Sequence, residues 1–196
     1  MRRCFPLSSG PCQTRNCSTW RRASLSKPQL VSRIGLWTAL GVAVPFLFHQ
    51  FGIAGKIFLP MHFPVFLAGL LCGPWAGFWV GVLSPSLSFL LTGMPPFPLV
   101  LAMVPELATY GTLSGWLYGR GMAVVPALLG AMVVGRCVLG LALWALSFVL
   151  RLQISPHTFV TGAVLTGLPG IAAQLFLIPV LVKKLDRDRG KGYISG

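Results

Sequence analysis

Two side chains in this sequence could do work that their surroundings make costly. Glu106 lies in a stretch of roughly sixty residues, from Pro60 to Gly119, that holds no other charge. Arg136 lies in the next apolar run, Val124 to Leu150. An acid and a base inside such runs need a partner or a polar ligand, so both are candidate functional residues. A direct ion pair holding two helices together is one reading of them. Contact with a substrate between them is the other, and the two are compatible. Tyr110 follows Glu106 by one helical turn and shares its face. His62, next to Met61 at the start of an apolar segment, is a candidate pocket residue, as is Gln174. Gln174 equally suits a hydrogen bond between helices. Trp144 is a candidate stacking surface for a ligand or an anchor at the membrane interface.

The chemistry is that of binding. No G-x-S-x-G, H-E-x-x-H or Walker A sequence occurs. The three acids are Glu106, Asp186 and Asp188. The last two fall in a basic tail, which leaves little for acid–base catalysis. The five cysteines form no C-x-x-C pair, so neither a zinc site nor a disulfide framework is expected. The chain is read as a non-enzyme with no cofactor and no metal.

These residues must be positioned by membrane helices. The chain is 55% hydrophobic and 10% charged, with a mean hydropathy of +0.77. That composition fits an all-α, polytopic membrane protein with a bundle of about six transmembrane helices. Seven of the 16 Lys and Arg precede Ile34 and five follow Val182. Basic flanks stay on the cytoplasmic side, so both termini are expected there, in the cell membrane. Nucleic acid is excluded as a partner, because the positive charge flanks a water-insoluble middle.

Residues 1–33 read as a disordered basic cytoplasmic tail, 34–185 as the six-helix substrate-binding domain, and 186–196 as a second basic tail. The first segment also has the composition of an organellar transit peptide, or of a stretch ahead of a later start codon. The spans are expected near Ile34–Phe51, Pro60–Cys72, Pro74–Thr92, Leu99–Tyr118, Val124–Leu150 and Thr158–Val182. Pro45 should kink the first, and Ser84-Pro85 with Ser88 should break or bend the third. Small residues recur every four positions: Gly35/Ala39/Ala43, Gly73/Gly77/Gly81 and Gly111/Gly115/Gly119. Each set lets another helix approach closely.

Four stretches together resemble a known family. They are Ala39-Leu40-Gly41-Val42-Ala43, Pro60-Met61-His62-Phe63-Pro64-Val65, Gly73-Pro74 with its glycine ladder and Ser84-Pro85, and Thr92-Gly93-Met94-Pro95-Pro96 followed by Glu106-Leu107-Ala108-Thr109-Tyr110-Gly111. From about Ile34 to Leu185 the chain resembles the S component of an energy-coupling factor (ECF) transporter. The resemblance implies a membrane subunit that captures a vitamin or cofactor precursor for ATP-driven uptake. It implies partners: a transmembrane coupling subunit and two ATPase subunits. It implies docking on the coupling subunit through the small-residue face of the first helix, here Ala39 and Ala43 with Gly35. It also implies a substrate held near the outer face, under the loop Gly52–Leu59. Met61-His62 is internal, unlike the N-terminal amine and histidine of cobalt and nickel members, so an organic ligand is favoured. The rival reading is a non-transport membrane scaffold whose glycine stripes serve assembly.

The topology is directly testable. A reporter fused after Gly196 should read out as cytoplasmic, and one inserted within Gly93–Pro98 as external. Finding both on one side would remove the six-span arrangement.

Overall fold

The computed structural model describes residues 27–50, 61–150 and 156–192. The early tail, the loop 52–59, Lys56 and Arg151 lie outside the described residues. The described chain is six helices and no strands: α1 (Lys27–Gln50), α2 (His62–Cys72), α3 (Pro74–Thr92), α4 (Leu99–Gly119), α5 (Val124–Leu150) and α6 (Pro156–Gly192).

Among the described helices, four are long and apolar enough to cross a membrane, namely α1, α3, α5 and the Gly167–Leu185 part of α6. Their outer faces carry large apolar side chains such as Leu36, Trp75, Leu90, Leu141, Phe148 and Phe176. That is the surface expected where lipid is the solvent. The remaining two, α2 and α4, are the sheltered pair. Nine of the eleven residues of α2 are buried. The helix α4 touches α2, α3 and α5, and α2 also reaches α1 and α6.

Glycines set the register of this arrangement. Gly69 and Gly77 both press on Gly111 of α4. They lie four residues before and after Gly73, so the chain doubles back there. Gly73 makes that turn at a φ of 96°, in the half of conformational space that favours glycine. Further along, Gly81 meets the backbone of Leu107, so α3 and α4 run antiparallel. Gly115 packs on Gly69 and Pro74 while Tyr110 meets His62 and Phe66, which makes α2 and α4 parallel. Two of the three expected glycines of α3 and two of the three of α4 therefore serve this contact. Gly73 is the turn, and Gly119 has nothing within 4 Å of an added Cβ.

Several boundaries differ from those read in the sequence. The helix α1 begins at Lys27, inside the segment assigned to the tail. Pro28 occupies its first turn, where a missing N–H leaves no intrahelical bond unmade. At the other end α6 continues to Gly192, ten residues past the apolar run. Its Lys and Arg residues are good helix formers in water, so the helix need not stop where the membrane does. The helix α3 runs unbroken through Pro85. Ser84 and Pro85 are both buried, and neighbouring helices can support a proline in such a setting. At the turn after α4, the Arg120 guanidinium lies 3.6 Å above the Trp116 ring, a pairing suited to a membrane interface.

The glycine contacts give a stability prediction. A methyl group on Gly111 would collide with the backbone of α3 at Gly77, which cannot step aside as a side chain can. Gly111→Ala should destabilise the protein by about 1–3 kcal/mol. Gly119→Ala, with open space around it, should leave thermal stability in detergent almost unchanged.

Candidate functional site

The interior pair forms where α4 crosses α5. Glu106 is 2% exposed, and its Oε1 lies 3.1 Å from Arg136 Nη1. The Tyr110 hydroxyl donates to the same Oε1 at 2.6 Å. The spacing of four residues on one helix places the phenol over the carboxylate. One carboxylate oxygen therefore accepts from both a guanidinium and a phenol. Charge-assisted bonds of this kind are the strong ones.

The Tyr110 ring is fixed on both sides. On α2, the His62 and Phe66 rings each lie 5.2 Å from it, at interplanar angles of 48° and 30°. On α5, Gly135 lies directly under the ring, and any Cβ there would overlap the aromatic carbons. The absence of a side chain at Gly135 is what lets the phenol lie flat between α4 and α5.

A cavity of about 340 Å³ opens beside this cluster. It is lined by His62 of α2, Tyr110 of α4, Leu129, Met132, Val133 and Arg136 of α5, and Ile171 and Gln174 of α6. The four α5 residues recur at i, i+3, i+4 and i+7, which places them on one helical face. Glu106 does not line the cavity. It sits behind Tyr110 and Arg136 and holds both in place, while Arg136, 15% exposed, reaches the open space.

The structure thus brings together Glu106, Arg136, Tyr110, His62 and Gln174. It does not bring Trp144 to this cavity, because that side chain is 64% exposed on the outer surface of α5. Eight residues separate it from Arg136, about 12 Å along the helix, which takes it past the end of the cavity. Sequence reasoning missed Leu129, Met132, Val133, Ile171 and the supporting Gly135. The periodicity of the α5 residues with Arg136 was the available signal for three of them. Among the described residues, no group of three His, Cys, Asp or Glu could hold a metal ion.

Chemically the arrangement suits binding over catalysis. Arg136 offers donors, Gln174 offers a donor and an acceptor, and the imidazole of His62 can supply either. The remaining wall is aliphatic. A mostly apolar cavity with a few fixed polar groups is the usual form of a small-molecule site.

A family model described as the substrate-specific component of ECF transporters matches residues 33–182. No curated protein and no solved structure matches the chain.

The geometry separates two mutational outcomes. Glu106→Gln leaves Arg136 without its counter-ion and should lower stability by up to about 3–5 kcal/mol. Tyr110→Phe removes only the bond to the carboxylate, while the ring keeps its place between His62, Phe66 and Gly135. Its cost should be smaller, about 1.5–3 kcal/mol. Thermal unfolding in detergent measures both, and equal stability of Glu106→Gln and the parent protein would refute the structural role of the pair.

Proposed function

The chain belongs to the family of ECF transporter substrate-specific components, and from this we propose that it captures a vitamin or cofactor precursor for ATP-driven uptake by partner subunits. Family members bind a transported substrate, and membership assigns no catalytic step to this chain. The observation that carries the reading is the cavity among α2, α4, α5 and α6, with Arg136, Gln174, His62 and Tyr110 in an otherwise aliphatic wall. It lies within the matched span. In this reading Arg136, Gln174 and His62 contact the ligand, Tyr110 lines the site, and Glu106 positions its two neighbours.

The proposed partners are a transmembrane coupling subunit and two ATPase subunits. The proposed docking surface is the Gly35/Ala39/Ala43 face of α1. Two observations support it. All three residues are exposed, and an added Cβ at Gly35 would meet nothing within 4 Å. The opposite face of α1, with Thr38, Gly41 and Pro45, is the buried one, and Gly41 lies against Ser84 of α3. The helix thus has a small-residue face left over after its own bundle is packed. The protein is a multi-pass membrane protein. We place it in the cell membrane with both termini cytoplasmic, a reading supported by the basic residues flanking α1 and closing α6.

The docking reading has a clear test. Ala39→Trp or Ala43→Trp would hold a partner helix away, because close approach needs small side chains. Uptake in cells should fall at least about tenfold, the effect of roughly 1.4 kcal/mol lost at the interface. Ligand binding by the isolated protein should persist, since α1 contributes no residue to the cavity. Normal uptake by both variants would rule out this face as the docking surface.

A further inference from the structure

We propose that the group facing Arg136 in the bound ligand is an uncharged acceptor, an amide, lactam or ureido carbonyl, and not a carboxylate or phosphate. The inference rests on reading the cavity as the capture site.

The argument begins with charge balance. Arg136 already has a full counter-ion, because Glu106 lies 3.1 Å from it and is 2% exposed. Between Ile34 and Val182, the described residues hold one further charge, Arg120, at the turn between α4 and α5. The pair therefore sums to zero in a setting walled by apolar helices. A ligand carboxylate would place two anions against one cation, leaving one negative charge unbalanced. In a low-dielectric interior that arrangement is strongly disfavoured. A carbonyl oxygen adds no charge, yet it can accept from the guanidinium N–H groups that Glu106 does not use.

Gln174 supplies the second half of the argument. It is 2% exposed, and it lines the same cavity from α6. Its amide presents one acceptor and two donors. A ligand carbonyl with an adjacent N–H matches both, accepting from Arg136 or Gln174 and donating to the Gln174 oxygen. A carboxylate has no N–H to offer and leaves that oxygen unmet. Leu129, Met132, Val133 and Ile171 then suit a ring or short aliphatic body. The groups on the cavity that could alter this balance are His62, Tyr110 and Arg136 itself. Of these, only a protonated His62 could add positive charge and admit an anion.

Benzamide and benzoate test the proposal, being matched in size and shape and different in charge. Binding of each to the detergent-solubilised full-length protein is read by thermal stabilisation across a concentration series at pH 8. Benzamide should stabilise the protein, and benzoate should bind at least about tenfold more weakly, as expected for an unbalanced buried charge. Gln174→Leu, which removes no charge, should abolish the benzamide effect. Benzoate binding as tightly as benzamide would overturn the proposal, as would stabilisation by neither. Benzamide binding unaffected by Gln174→Leu would overturn it too. None of these outcomes bears on docking to a coupling subunit, which the Ala39→Trp variant reports separately.

Discussion

A charged pair inside a lipid-facing bundle constrains everything around it. Glu106 and Arg136 can stay ionised there only if they meet each other and are hydrogen-bonded as well. Tyr110 completes that requirement by donating to the carboxylate. Once the three are joined, α4 and α5 have one relative height, and the Tyr110 ring is committed to the gap above Gly135. The pocket is a consequence. A guanidinium held from behind by Glu106 lines the cavity, and His62 and Gln174 line it from α2 and α6. The carboxylate is thus kept off the cavity and fixes two groups that line it.

The distribution of polarity among the helices follows from the same constraint. The four long apolar helices take the lipid-facing positions, and the two inner ones, α2 and α4, hold Glu106, Tyr110 and His62. Burying α4 on three sides requires helices to come very near it. Gly69, Gly77 and Gly81 supply that proximity on one side, with Gly111 and Gly115 facing them. Without a hydrophobic drive between helices in lipid, such backbone contact is a principal source of association. The glycine ladder and the buried acid are therefore linked: one makes the shelter that the other needs.

Much of this was legible in the sequence, and the exceptions have physical causes. The spans of α2, α3 and α4 were marked by Pro and Gly at their ends. The ends of α1 and α6 were not, because an apolar run reports where a helix meets lipid and α6 continues helical into charged sequence. Within the site, the Glu106–Tyr110 contact is local and follows from a spacing of four. Arg136 was recognisable as a charge needing a partner, and its depth allowed Glu106 to serve. The position of Gln174 beside them depends on how α6 packs on α2 and α5, which no local pattern encodes. Gly135 gave no signal either, since its role is defined by a ring arriving from another helix. Trp144 illustrates the converse: a tryptophan in an apolar helix suits a ligand or a lipid interface equally, and only its exposure in the packed bundle assigns it to the outer surface.

The arrangement also bears on how the proposed capture site could communicate with the proposed docking surface. The helix α1 supplies no residue to the cavity, and its small-residue face points away from the bundle. It packs on α3 and α2. The helix α2 both touches α1 and lines the cavity. Pro64 lies near Gly41 of α1, and His62, two residues earlier, reaches the pocket and stacks near Tyr110. The other route runs through α3 and the glycine contact to α4, and ends at Tyr110 and Glu106 from behind. Both routes converge on Tyr110. It touches α2 through His62 and Phe66, α5 through Gly135, and the buried carboxylate through its hydroxyl. A displacement of α2 or α4 relative to α5 cannot be accommodated by a glycine beneath an aromatic ring without shifting the ring, and the ring carries one wall of the pocket. The geometry that keeps the ion pair dry is therefore the same geometry that ties the shape of the pocket to the placement of the helices behind it.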